Sequence, residues 1–160
     1  MQKTPNPIKL IISVGVPLLG GLISGYFVTQ NVETWYMTLN KPIFTPPPWL
    51  FAPTWTILYI AMGLAAYLVW IKGFEVPGVK TALVVFIFQL ILNFAWTPVF
   101  FGLKNPLGGL IIIAVLWLAI TTTIILFIRI SLPAGLLLVP YLLWVSYATA
   151  LNNAIWTLNR

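Results

Sequence analysis

Charge is so sparse and so evenly spaced in this chain that it fixes the architecture almost alone. Lys9 and Glu33 enclose 23 uncharged residues, Lys41 and Lys72 enclose 30, and Lys80 and Lys104 enclose 23. Lys104 and Arg129 enclose 24, and Arg129 and Arg160 enclose 30. A helix crossing a bilayer needs about 20 apolar residues, roughly 30 Å at 1.5 Å per residue. Each interval holds one such helix and none holds two. Five spans follow, near 9–29, 49–71, 80–101, 106–128 and 134–157. A transmembrane β-barrel wants alternating segments of about 10 residues, whereas these apolar runs are continuous. The predicted fold class is an all-α integral membrane protein, a single domain of five transmembrane helices.

Composition agrees and narrows the chemistry. Charged residues make up 6% of the 160 and hydrophobic residues 61%, against about 25% charged in an ordinary soluble domain. Such a chain cannot cover its own surface with polar groups, so bilayer must cover it. Glu33 and Glu75 are its two acids, and it has no Asp, His or Cys. That removes thiol chemistry, disulfides, His- or Cys-ligated metal and any His-based triad. The net charge of +6 is scattered and forms no basic stripe, so nucleic acid is not an expected partner. The first span exceeds the 7–15 apolar residues of a leader, and Thr29-Gln30-Asn31 is no cleavage site, so it reads as a true span.

An odd number of spans places the termini on opposite faces. Lys3, Lys9, Lys72, Lys80 and Arg129 fall on the N-terminal face, and Lys41, Lys104 and Arg160 on the other. The excess of positive charge puts the N-terminus in the cytoplasm. Pro17, mid-span in the first helix, removes a backbone donor and should kink it. Gly21 and Gly25 form a GxxxG face that serves either close packing within the bundle or a homodimer seam.

The longest loop reads NVETWYMTLNKPIFTPPPWLFAP over residues 31–53, with five prolines from Pro42 to Pro53. Proline fixes φ and excludes ordinary helix, so the loop should be stiff. Trp35, Tyr36, Phe44, Trp49 and Phe51 make it aromatic. An interfacial belt would account for the rings; the prolines favour a lid over a cavity between helices.

Polar residues inside the spans mark where that cavity could lie, since unpaired polar groups are costly in hydrocarbon. Gln89, Asn93 and Trp96 share one face of the third span. Trp144, Ala148 and Asn152 make a similar stripe on the fifth, with Tyr147 and Leu151 beside it, and Trp55 and Tyr59 lie one turn apart on the second. Asn152, and Gln89 with it, reads first as interhelical glue. The remainder suits a pocket that is mostly aromatic with a few orienting polar groups. Amides and indoles do not exchange protons near neutral pH, so such a pocket binds rather than hydrolyses.

These residues resemble a known family. Trp35-Tyr36, Lys41-Pro42, Thr45-Pro46-Pro47-Pro48-Trp49 and Pro53-Thr54-Trp55 with Tyr59 are similar to the translocator protein family. Its members include the bacterial tryptophan-rich sensory proteins and the mitochondrial peripheral benzodiazepine receptor. Gln89-Leu90, Asn93 to Trp96 and Pro98-Val99-Phe100-Phe101-Gly102 resemble its third helix. Pro140-Tyr141, Trp144, Ala148 to Asn152 and Trp156 resemble its fifth. The match extends over about residues 15–159.

The resemblance implies a five-helix bundle, often a homodimer, that binds porphyrins and hydrophobic drug-like molecules under the first loop. The implied ligand-binding positions are Trp49, Trp55, Tyr59, Asn93, Trp96, Trp144, Ala148 and Leu151, to which the polar pattern adds Gln89. Trp35, Tyr36, Lys41 and Phe44 belong to the lid. The animal members' sterol motif lies near the end of the fifth helix. Residues 151–157 here lack its Tyr and its following basic residue, so sterol transport is not expected and a bacterial or archaeal cell membrane is.

Three functions fit: a receptor or sensor of protoporphyrin and related tetrapyrroles, a transporter of them, or a light-dependent porphyrin-degrading enzyme. No cofactor or metal is required, the porphyrin being the ligand. Tyr59 and Met62 are the conceivable axial ligands for haem and are weak ones, so metal-free porphyrin should bind about as well. No span centre carries a basic residue, so the propionates should emerge at the interface, towards Lys41 beneath the lid.

Overall fold

The computed structural model describes residues 5–160; Lys3, assigned above to the N-terminal face, lies outside them. Its helices are α1 (Pro7–Val32), α2 (Phe51–Trp70), α3 (Val79–Thr97), α4 (Pro106–Ile130), α5 (Leu132–Leu136) and α6 (Val139–Leu158), with no strand among the described residues. Five segments are long and apolar enough to cross a membrane: Pro7–Val32, Pro48–Trp70, Val79–Gly102, Pro106–Ile130 and Leu132–Leu158. The chain is an integral membrane protein built on those five helices.

Local chemistry sets where each helix starts and stops. Asn6 caps α1, its Oδ1 accepting from the Lys9 amide at 3.1 Å, and Pro7 follows at the first helical position. Asn105 and Pro106 repeat the device on α4, with Asn105 Oδ1 accepting from Gly108 N at 2.9 Å. The turn between α2 and α3 uses Gly73 and Gly78 at φ of 95° and 88°, a region that side chains disfavour.

Two proline breaks shape the spans that carry the polar stripes. At Pro98 the third span changes to a π segment, Pro98–Gly102, closed by Leu103 N donating to Pro98 O at 2.9 Å. Pro98 has no N–H to continue the α ladder, and the wider turn buries both Phe100 and Phe101. The fifth span opens as the short α5, turns at Leu137 and Leu138, and restarts as α6 with Pro140 in its first turn. Pro140 belongs naturally at such a start.

Round the bundle, α1 lies between α2 and α3, α4 between α3 and α6, and α5 joins α4 to α2. The last helix meets α2 and α3 chiefly through long side chains. The closest backbone approach is α1 on α2. A Cβ on Gly63 would fall 2.5 Å from Val14 Cα and 2.6 Å from Ser13 O. Ser13 is four residues before Pro17, so its carbonyl lacks the usual helical donor and lies against Gly63 instead. The helix runs unbroken through Pro17, which is buried.

Two of the glycines of α1 are used within the chain. Gly20 seats the Phe94 ring and Gly21 the Tyr59 ring, while Gly25 faces open space. Close packing within the bundle accounts for Gly21.

Candidate functional site

The connectivity divides the bundle into two halves along its axis. The first loop, the 102–105 turn and the end of α6 share one end, called here the lid end. The start of α1, the 71–78 turn and the 131–138 segment share the other.

Between the halves lies a hydrogen-bonded floor built by α2, α3 and α6. The Tyr59 hydroxyl donates to Asn93 Oδ1 at 2.8 Å. Asn93 Nδ2 donates to the Tyr141 hydroxyl at 2.8 Å, and that hydroxyl donates to Gln89 Oε1 at 2.9 Å. Gln89 Nε2 reaches Met62 Sδ at 4.0 Å. All five side chains are buried. Each donor finds one acceptor in sequence, which satisfies polar groups that hydrocarbon would otherwise penalise. Tyr59 and Met62, the conceivable haem ligands, are both engaged here.

On the lid side of this floor the side chains are aromatic. Trp55 stacks on Tyr59 with centroids 5.5 Å apart and meets Tyr141 edge-on at 6.3 Å. Trp144 packs against Phe51 at 6.0 Å and Tyr147 at 5.7 Å. Trp96 stacks on Phe100 at 5.0 Å. Trp55, Trp96, Trp144 and Ala148 are half-buried, so ring surface here remains accessible. The Trp144 indole nitrogen is itself buried and has no hydrogen-bond partner. Trp96 is fastened: its Nε1 donates to Asn152 Oδ1 at 3.0 Å, and Asn152 Nδ2 donates to Pro106 O at 2.8 Å. Asn152 therefore ties α3, α4 and α6 together, the interhelical work its position in the sequence indicates.

The loop stands on a second aromatic cluster. Trp35 and Tyr36 pack on Phe100 and Phe101 with centroids 5.5 to 6.4 Å apart. Leu151 and Ile155 complete this foot. Burial pushes the Tyr36 phenol above its ordinary pKa, and Tyr147 adds to the shift. The Lys41 ammonium donates to the carbonyls of Tyr36, Leu39 and Met37 at 2.8, 3.2 and 3.4 Å, and lies 4.9 Å from the Tyr36 ring centre. Three carbonyls at the end of a 3₁₀ turn claim it. Lys41 thus fastens the loop to itself, its N–H donors being taken by the loop's own carbonyls.

The sequence-derived residues therefore separate into groups. Tyr59, Gln89 and Asn93 meet in the floor, and Trp55, Trp96, Trp144 and Ala148 lie on its lid side. Leu151 belongs to the foot with Trp35 and Tyr36. Phe44 is partly exposed, with its ring 6.3 Å from that of Tyr147. Trp49 stands apart, 71% exposed on the outside of the 3₁₀ turn that leads into α2. Phe51, two residues on, takes the inward position beside Trp144.

Tyr141 is the central residue that reading the sequence for a site passed over. It lies on the face that carries Val145, Ala148 and Asn152, so helical spacing could have found it. Asn40 and Asn159, which hydrogen-bond to each other across the loop and the end of α6 at 2.9 Å, give no such signal, because both lie outside the spans.

The TspO/MBR family model matches residues 13–157. The chain is 46% identical to the tryptophan-rich protein TspO of Archaeoglobus fulgidus, over 96% of this chain and 99% of that one. It is 42% identical to the tryptophan-rich sensory protein of Cereibacter sphaeroides, covering 79% of this chain and 78% of the other. The human translocator protein is 37% identical over 90% of this chain and 86% of its own length.

Proposed function

Because the chain belongs to the TspO/MBR family, we propose that it is a membrane receptor or sensor that takes up tetrapyrroles and other flat hydrophobic molecules among the rings of its lid half. Relatives named as sensory and translocator proteins support the general role. The observation that carries the ligand class is the aromatic cluster above a closed polar floor. Trp55 on Tyr59, Trp144 beside Phe51 and Trp96 on Phe100 all lie on the lid side of the floor of Tyr59, Asn93 and Tyr141. Flat conjugated rings gain most from such surfaces.

Beneath the floor the centre of the bundle is packed, and the space of about 460 Å³ in that half lies to one side, between α2 and the 133–140 segment. Met62, Ala65, Val69, Val79 and Ala82 have no exposed surface, and Phe86 stacks on Phe127 at 5.7 Å. A ligand on the lid side meets a packed core rather than a path along the axis. This favours binding over conduction through the bundle.

Engaged Tyr59 and Met62 leave haem iron no ready ligand, so the macrocycle supplies the affinity. Its propionates emerge at the lid-end interface, where Lys104 and Arg160 are exposed. The site of action is a bacterial or archaeal cell membrane, in keeping with the higher identity to the archaeal relative than to the human one.

The test is titration of the detergent-solubilised protein with protoporphyrin, its dimethyl ester and haem, read by tryptophan fluorescence. Saturable binding with haem and metal-free porphyrin within a few-fold of each other is expected. Absence of saturation, or a six-coordinate low-spin haem spectrum, would overturn the reading. Uptake of porphyrin into sealed proteoliposomes would make the protein a transporter instead, and bleached products found after illumination but not in the dark would make it a photo-oxidising enzyme.

A further inference from the structure

The loop over the lid end is bolted to the last helix at two places, and one bolt has an unusual construction. Asn159, just past the end of α6, uses its side chain as a backbone substitute. Its Oδ1 accepts from Asn40 N at 2.9 Å while its Nδ2 donates to Asn40 O at 2.9 Å. The same Nδ2 donates to Ile155 O at 2.7 Å, which orients the amide from its own helix. Asn40 returns a longer bond from its Nδ2 to Leu158 O at 3.4 Å. Reversing the amide would set donor against donor and acceptor against acceptor, so this orientation is fixed by its partners. The second bolt lies three turns back along α6, where the Tyr147 hydroxyl donates to the Phe44 carbonyl. Between the bolts the loop carries Ile43 at 105% exposure, so the apolar contact holding it there is small.

We propose that Asn159 is the catch of the lid, a positioning residue whose pairing with the Asn40 backbone sets how fast ligands reach and leave the aromatic region. This rests on the binding function proposed above, and on the loop being the way in. The loop's foot is held by buried rings, whereas its far side is held by hydrogen bonds in exposed positions. Bonds of that kind open easily because water replaces them at little net cost. The catch joins the loop backbone to the end of α6, so weakening it is expected to speed passage in both directions and to leave affinity nearly unchanged.

Hydrogen exchange of the 36–48 region is measured first, in the full chain without ligand, for wild type and Asn159→Ala. Losing both partners of Asn40 should speed exchange at its amide about tenfold. Unchanged exchange would mean there is no catch, whatever binds. Stopped-flow fluorescence with protoporphyrin then follows on both proteins. The association and dissociation rate constants should each rise about five- to tenfold in Asn159→Ala, with the dissociation constant within about twofold. A higher dissociation constant at an unchanged association rate would make Asn159 a ligand contact or a stability residue and refute the catch.

A second variant guards against simple loosening of the fold. The natural chain has no cysteine, so the pair Asn40→Cys with Asn159→Cys can be oxidised without competition. Oxidation should slow both rates and reduction should restore them; passage that ignores the crosslink overturns the proposal. Failure of wild type to bind porphyrin would remove the functional reading, while the exchange result would still decide whether the catch exists.

Discussion

The half of the bundle beneath the floor and the half above it are made of the same five helices, yet they are held together differently. Beneath it, small and aliphatic side chains pack the centre: Ala65, Val69, Val79 and Ala82 are fully buried, and α1 touches α2 backbone to backbone at Gly63. Above it, half-buried aromatic rings fill the space and hydrogen bonds do the fastening, from Trp96 on Asn152 to Lys41 on three carbonyls. One half gains its stability from tight packing that a single methyl group disturbs. The other is joined by ring contacts and by hydrogen bonds of which several lie in exposed positions, where water can replace them. On the function proposed above, holding the fold and receiving a ligand fall to different ends of the same helices.

The largest effect should come from breaking the packed half. Gly63→Ala places a methyl group against Val14 Cα and the Ser13 carbonyl, backbone atoms that cannot turn aside. We expect a loss of about 3 kcal/mol, seen as a large fall in melting temperature in detergent. Porphyrin affinity of the fraction that remains folded should hardly change. A wild-type melting temperature would show that the contact between α1 and α2 is softer than its distances imply.

The boundary between the halves should respond next. Tyr141→Phe leaves Asn93 Nδ2 and Gln89 Oε1 without their partner in a buried position. A cost of about 1–3 kcal/mol in stability is expected, with weaker porphyrin binding because the floor beneath Trp55 loosens. Binding and melting temperature both unchanged would mean that the floor is incidental to either half.

The smallest effect sharpens the role of the loop. Lys41→Ala removes a charge committed to loop carbonyls, at a position that is partly exposed to solvent. Binding should weaken several-fold at most, and equally for protoporphyrin and its dimethyl ester. Selective loss of the diacid would return Lys41 to the role of propionate partner.

Much of this contrast is legible in the sequence, and the rest is hidden for physical reasons. Apolar runs bounded by sparse charges reveal five helices because a bilayer imposes one length on all of them. The stripe Gln89, Asn93 and Trp96 is visible because polar residues in a span are rare and helical spacing aligns them. What the sequence does not carry is the choice among partners. Nothing in the run of prolines says that Trp49 turns outward while Phe51 turns in. Lys41 looks like an available cation because the carbonyls that claim it belong to a turn that stands on the tertiary contact between Tyr36 and Phe101. Asn40 and Asn159 are 119 residues apart and lie outside every apolar pattern. Pairing at that distance is decided by tertiary structure alone.

Trp144 and Trp70 offer the most direct test of the division. Among the described residues they are the two whose side chains keep a buried indole nitrogen without a hydrogen-bond partner, and they sit in opposite halves. Trp144 lies among the rings of the lid half, and Trp70 closes α2 at the other end beneath Lys9. The measurement is the dissociation constant of metal-free protoporphyrin for Trp144→Phe and Trp70→Phe, in one detergent and with the folded fraction of each verified. We expect Trp144→Phe to weaken binding about tenfold through lost ring contact and the lost donor, and Trp70→Phe to stay within about twofold of wild type. Equal losses in the two variants, or a larger loss in Trp70→Phe, would contradict a ligand site confined to the lid half.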